Sequence, residues 1–273
     1  MYSKQISSTS PGLFVILVDQ SDSMGDPYEA RDKESTYKDE FAALAVNRTI
    51  SEILESCQDG DKMKDRCHIA VIGYGKTTQL LIEGLPTEIE DPTYGTRTVK
   101  GKQPDGAGGF SEVEEEIGIW VKPVHNNGTP MATAFGAAAD LIEAWTAENP
   151  ANFPPIVFNI TDGEPDDINQ GASATRSAAQ RVADCHTTDG KVLIYNCHIG
   201  IGTPEVILPS SEQSLATPSA KLLFQMSSVI PQELFRLAEN AGLAPQTGSR
   251  GFCMNATPET LTKLLDFGSA KAR

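Results

Sequence analysis

Leu13-Phe14-Val15-Ile16-Leu17-Val18-Asp19-Gln20-Ser21-Asp22-Ser23-Met24 is the stretch on which the reading of this chain turns. Six consecutive apolar residues, 13–18, suit a short strand buried on both faces, although periodicity alone also admits a buried helical segment. The run stops at a carboxylate, and hydroxyls follow at alternate positions: Asp19, Ser21, Ser23. Oxygen donors of this kind suit a hard cation such as Mg²⁺, which prefers octahedral oxygen coordination and keeps some of its water. Open α/β sheets place their ligands at the carboxyl ends of central parallel strands. The stretch therefore predicts a buried strand opening into an oxygen-lined loop.

The segments around it alternate between strand-like and helix-like. In residues 37–57, Phe41, Leu44, Ala45, Ile50, Ile53 and Leu54 recur at spacings of three and four, which predicts an amphipathic helix. Residues 68–74 read as a second buried strand and 78–82 as a neighbouring or edge strand. Residues 84–118, rich in Gly and Pro and carrying the acidic run Glu112 to Glu116, read as an insertion or elaborated hairpin. A charge run is ordinarily a solvated face. Residues 117–121 read as a strand returning toward the site.

A helix is expected over 131–145, a strand over 154–160, a helix over 172–185 and a strand over 191–199 that ends at Gly200-Ile201-Gly202. Residues 209–218 read as a loop, and helices are expected over 231–241 and 257–267, the last opened by a Thr-Pro-Glu cap signal. Alternating strands and helices point to one α/β domain over residues 1–273: a doubly wound, mostly parallel sheet covered on both faces.

Composition narrows the function classes. A net charge of −15 repels a nucleic-acid backbone and enriches cations near the surface. No apolar run approaches the roughly 18 residues of a membrane span. The N-terminus is polar, and the 13–18 run is too short for a signal-peptide core. Five cysteines, odd in number and without framework spacing, fit a reduced, cytosolic setting.

Two distant segments complete the pattern begun at Asp19. Gly128-Thr129-Pro130 precedes the helix expected over 131–145, with Pro130 suited to its first turn. Ile156-Val157-Phe158-Asn159-Ile160-Thr161-Asp162-Gly163 is an apolar strand ending in a carboxylate. The combination resembles the von Willebrand factor A (vWA) family. Its metal-ion-dependent adhesion site reads D-x-S-x-S, then a distant Thr, then a distant Asp, matched here by Asp19, Ser21, Ser23, Thr129 and Asp162. The resemblance covers residues 12–201 well and the remainder only topologically.

In that reading Ser21, Ser23 and Thr129 offer neutral hydroxyl oxygens directly to Mg²⁺, or to Mn²⁺ or Ca²⁺. The resemblance implies that Asp19 and Asp162 act mostly through waters or hydrogen bonds to those hydroxyls. Neutral ligands leave most of the metal charge unquenched, so the site docks an Asp or Glu carboxylate from a partner protein. No general base or nucleophile belongs to the motif, so binding rather than catalysis is expected. Nearby Asp26, Asp166 and Asp167 add negative potential or are ordinary loop acids.

Size and tail segments such as Ser227-Ser228-Val229-Ile230-Pro231 and Arg250-Gly251-Phe252 resemble the stand-alone bacterial vWA group associated with tellurite resistance and stress. That resemblance implies a PP2C-type phosphatase or a Ser/Thr kinase as neighbour or partner. Family analogy further implies that ligation shifts the C-terminal helix.

Three competing signals point elsewhere. Ala70-Val71-Ile72-Gly73-Tyr74-Gly75-Lys76-Thr77 fits a loose P-loop pattern, but a P-loop needs a strand before it and a helix after it, and residues 78–82 look extended. A haloacid-dehalogenase-like phosphatase has a second Asp two residues after the first, where this chain has Ser21. Cys67-His68, Cys185-His186 and Cys197-His198 lack the paired spacing of structural zinc. The rival to a binding module is thus a nucleotide- or phosphate-ester-hydrolysing enzyme using Lys76 or Asp19.

Overall fold

Strand β1 (Gly12–Asp19) is buried over its whole length, as a strand covered on both faces must be. The computed structural model describes residues 1–28, 37–104, 110–168, 172–200 and 204–270. After β1, a 3₁₀ turn (Asp22–Gly25) leads toward helix α1 (Lys38–Cys57). The hairpin β2 (Gln58–Asp59) and β3 (Lys62–Met63) precedes β4 (Cys67–Tyr74), and β5 (Thr78–Gly84) turns back beside it. Helix α2 (Pro86–Ile89) and strands β6 (Thr96–Pro104) and β7 (Phe110–Gly118) follow, then α3 (Met131–Glu148), β8 (Ile156–Thr161) and α4 (Ser173–Asp184). The chain continues through β9 (His186–Thr187), β10 (Gly190–Lys191), β11 (Leu193–Ile199) and β12 (Val206–Ile207). It closes with α5 (Pro218–Met226), α6 (Phe235–Asn240), β13 (Phe252–Ala256) and α7 (Pro258–Ser269).

The main sheet has seven strands in the order β12-β13-β11-β8-β1-β4-β5. The five inner strands are parallel, and β12 and β5 run antiparallel at the edges. This is the doubly wound α/β fold that the strand–helix alternation predicts. Phe14, Ile16 and Val18 of β1 pack into a core shared with α1, α6 and α7. Leu13, Val15 and Leu17 face a second core built with α3, α4 and α5. The alternation follows from the two-residue period of a strand. Because β4 lies on one side of β1 and β8 on the other, the carboxyl end of β1 opens at a topological switch point.

Residues 84–118 contain the expected hairpin: β6 and β7 form their own two-stranded sheet, and Val99 and Ile117 anchor it on Leu44 of α1. Other expectations need correction. Residues 117–121 are not a returning strand. Strand β7 stops at Gly118, and the Trp120 and Val121 N–H groups both donate to Asn47 Oδ1 at 3.0 Å. That buried helix amide occupies the backbone groups a ladder would use. The helix expected over 231–241 is split into a 3₁₀ turn (Gln232–Leu234) and α6. Helix α5 is absent from the expectation, which has only a loop over 209–218 here; Thr217 caps it by accepting from Ala220 N at 3.1 Å and Pro218 occupies its first turn. Positions 29–36 of the polar segment, 105–109 of the insertion, and Ile201 and Gly202 after β11 lie outside the described residues.

All five cysteines are free thiols, and Cys57, Cys67, Cys197 and Cys253 are buried. No helix among the described residues is long and apolar enough to cross a membrane.

A buried polar chain crosses the sheet beneath the carboxyl end of β1. Tyr74 Oη donates to Asn159 Oδ1 at 2.7 Å, Asn159 Nδ2 donates to Asn196 Oδ1 at 2.9 Å, and Asn196 Nδ2 donates to Ser227 Oγ at 2.9 Å. Both asparagines are fully buried, so each amide depends on its neighbours. Asn196→Ala leaves Asn159 Nδ2 only the weak Met131 Sδ acceptor at 3.9 Å and is expected to cost about 1–3 kcal/mol, read by denaturant unfolding. A loss below about 0.5 kcal/mol would show that the chain is dispensable.

Candidate metal centre

The end of β1 sets the first donor. Asp19 is 1% exposed; its Oδ1 accepts from Ser21 N at 2.8 Å and its Oδ2 from Thr161 Oγ1 at 2.5 Å. Burial pushes the Asp19 carboxyl up to about 7, against those two hydrogen-bonding neighbours. Such a group favours a nearby cation. The backbone then turns through the 3₁₀ segment, and Ser21 Oγ lies 3.1 Å from Ser23 Oγ. Ser23 Oγ in turn donates to Asp162 Oδ1 at 2.8 Å.

Thr129 reaches the same place from the loop before α3. Gly128 has a φ of +64°, a left-handed conformation that glycine adopts without strain. It is followed by Thr129, whose N–H donates to Asp166 Oδ1 at 2.8 Å, while Asp166 N donates to Thr129 O at 3.1 Å. Pro130 stands at the N-cap of α3 rather than inside its first turn. A Cβ placed on Gly163 would lie 3.5 Å from Thr129 Oγ1, 3.6 Å from Asp19 Oδ2 and 3.6 Å from Ser23 Oγ. Three oxygens from two separate segments, the end of β1 with its following turn and the loop before α3, thus surround one small space, which glycine leaves open.

All five predicted site residues, Asp19, Ser21, Ser23, Thr129 and Asp162, meet at the carboxyl edge of β1 and β8. Among the described residues no three His, Cys, Asp or Glu side chains gather as a metal site, so the donor set here is two carboxylates with hydroxyls. Hard oxygens fit Mg²⁺, Mn²⁺ or Ca²⁺ and not the nitrogen and sulfur preferences of zinc.

Sequence reading missed three neighbours. Thr161, one residue before Asp162, ties Asp19 and accepts from Gly163 N at 3.1 Å; its hydroxyl at the end of an apolar strand was a usable signal. Lys38, the first residue of α1, reaches Asp162, and nothing local announces it. His125 Nδ1 lies 2.8 Å from Asp39 Oδ2, and that buried carboxylate holds the imidazole above its usual pKa. The three nearby acids have distinct roles: Asp26 pairs with Lys38, Asp166 orients Thr129, and Asp167 accepts from Thr175 in the first turn of α4.

The P-loop-like segment lies on the β4–β5 hairpin, with an antiparallel strand where a helix would be needed. Lys76 N donates to Asn126 O at 2.8 Å and to Asn126 Oδ1 at 2.9 Å. That backbone N–H is therefore not presented to a phosphate. The loop before α3 clamps the turn after β1, with Asn126 N on Gln20 O at 2.7 Å and Asn127 N on Asp22 Oδ1 at 2.6 Å.

Comparison with solved structures finds several chains named for the vWA domain. One is a von Willebrand factor type A from Catenulispora acidiphila, with 13% identity and a TM-score of 0.47, over 96% of this chain and 42% of that one. Another is the ArnB paralog VWA2 from Sulfolobus acidocaldarius, with 15% identity and a TM-score of 0.36, over 71% and 36%. Proximal thread matrix protein 1 from the mussel byssus is also similar, with 11% identity and a TM-score of 0.48, over 98% and 47%. The chain spans less than half the length of each of these three proteins. No protein-family model and no curated protein matches the sequence. The fold class rests on the strand order and the two helical layers.

Gly163→Ala tests the convergence of donors. The added methyl meets the three oxygens at ordinary contact distance, so stability should change by less than about 0.5 kcal/mol. Mg²⁺ affinity, measured by calorimetry, should fall by about tenfold or more because the methyl stands among the donors. Unchanged affinity would place metal binding elsewhere.

Proposed function

We propose that this chain is a vWA-type interaction domain whose adhesion site takes Mg²⁺, or Mn²⁺ or Ca²⁺ in its place, and docks an Asp or Glu carboxylate of a protein partner. The observation that carries this reading is the meeting of Ser21, Ser23 and Thr129 hydroxyls with the carboxylates of Asp19 and Asp162 at one sheet edge. Ser21, Ser23 and Thr129 would hold the ion directly. Asp19 and Asp162 would orient the hydroxyls and bound waters from behind, as outer-shell carboxylates do. A divalent ion so held supplies positive charge to an incoming anion.

The whole-chain charge sharpens the argument. At −15 the surface repels an acidic partner at long range, so a carboxylate docks only where local positive charge outweighs that field. Partner recognition should therefore depend steeply on the metal. Tyr28, just after the metal loop, donates to Ala256 O at 2.6 Å, where β13 passes into α7. This contact gives site occupancy a route to the C-terminal helix.

Binding is favoured over hydrolysis by two features of the site. Asp19 is enclosed, with both carboxylate oxygens hydrogen-bonded, which leaves no clear line for it to attack a phosphorus atom. Lys76 lies on a hairpin and not at a helix N-terminus. In its narrowest form the proposal is a cytosolic member of the bacterial stress-associated group, with a PP2C-type phosphatase or a Ser/Thr kinase as the carboxylate-bearing partner.

Calorimetry of metal-stripped protein with Mg²⁺ and Mn²⁺ checks the reading. One-site binding is expected for the wild type and none for the Asp19→Ala, Ser21→Ala double variant. Equal binding by both proteins, or none by the wild type, would overturn it.

A further inference from the structure

Lys38 is the feature of this site that the motif does not explain. Its Nζ lies 2.5 Å from Asp162 Oδ2, 3.2 Å from Ser23 O and 3.4 Å from Asp26 Oδ2. The side chain is 12% exposed and that of Asp162 is 1% exposed. An ammonium has three N–H donors, and each of these acceptors takes one. The arrangement is costly in other respects. A lysine at the first position of a helix faces the positive end of the macrodipole, and fixing its long stem loses rotamer freedom. Asp39 and Glu40, next along the helix, have the sign that end favours.

Asp162 is thereby engaged on both oxygens, by Ser23 Oγ on Oδ1 and by Lys38 on Oδ2. A divalent ion on Ser21, Ser23 and Thr129 would share Ser23 and Asp162 with the ammonium, and like charges repel strongly in a poorly solvated site. Resting on the metal-site reading above, we propose that Lys38 is the site's resident cation: it neutralises Asp162 when no divalent ion is bound and competes with the ion for that carboxylate. Metal entry displaces the Lys38 side chain. Because the same ammonium also holds Ser23 O and Asp26, its departure loosens the link between the metal loop and the start of α1. The site thus sets its own metal threshold and converts occupancy into a change at a helix terminus.

The test compares the full chain as wild type, Lys38→Met and Lys38→Arg, each stripped of metal and titrated with Mg²⁺ and Mn²⁺ by calorimetry. Lys38→Met should bind at least about tenfold more tightly, whereas Lys38→Arg stays within about threefold of the wild type. In EDTA, Lys38→Met should melt below the wild type, and saturating Mg²⁺ should narrow that gap. A measurement without substitution runs beside it: the Lys38 ¹³Cε resonance of the wild type should move in proportion to metal saturation. Equal affinities of wild type and Lys38→Met, or a stationary Lys38 resonance at metal saturation, would overturn the competition and leave the metal site standing. Absence of metal binding in all three proteins would remove the metal site and the competition together.

Discussion

Asp19 imposes the constraint on which the rest of this site depends: a carboxylate at the end of a strand that is otherwise entirely apolar, almost fully withdrawn from water. Burial of an ionised carboxylate without compensation is expensive. Two hydrogen bonds, from Ser21 N and Thr161 Oγ1, answer part of that cost. The remainder pushes the Asp19 carboxyl up to about 7. At the same sheet edge Lys38 pairs with Asp162. The sheet topology makes the place suitable, because the strands flanking β1 diverge in their connections and leave a crevice at its carboxyl end.

The donors around this crevice are rigidly placed by unlike means. Ser21 and Ser23 ride on a 3₁₀ turn, Thr129 is fixed by a reciprocal pair of hydrogen bonds with Asp166, and Asp162 extends from β8. Gly163 keeps the space between them clear. Preorganisation of this kind keeps neutral oxygens aimed at a common point without repelling one another as carboxylates would. It also leaves a bound ion with charge to offer outward, and a binding surface follows from that more readily than a catalytic one.

Much of this was legible in the primary structure, and the failures have physical reasons. Strands β1, β4, β8 and β11 announce themselves because a buried parallel strand is a nearly continuous apolar run. Helices α1 and α3 show their period, and the five donors stand at strand ends or helix starts where side chains are exposed to a common edge. Strand β13 was missed because Phe252-Cys253-Met254-Asn255-Ala256 is short and interrupted by the polar Asn255, although Gly248 and Gly251 before it and Pro258 after it are usable turn signals. Asn159 and Asn196 each sit within an apolar strand that gives them no separate signal; only the sheet register, which pairs them, reveals a hydrogen-bonded chain. Lys38 was invisible for a related reason. Its contact with Asp162 spans 124 positions, and a lysine opening a helix has no local pattern that points across the fold.

The most direct test of the central claim is the position of the ion itself. Crystals of the wild-type protein grown with Mn²⁺ should show one anomalous peak at coordination distance from Ser21 Oγ, Ser23 Oγ and Thr129 Oγ1, as expected for oxygen ligands of a hard divalent ion. The same map should show the Lys38 ammonium withdrawn from Asp162. A Mn²⁺ peak elsewhere, or none at saturating metal with Lys38 still on Asp162, would contradict the account.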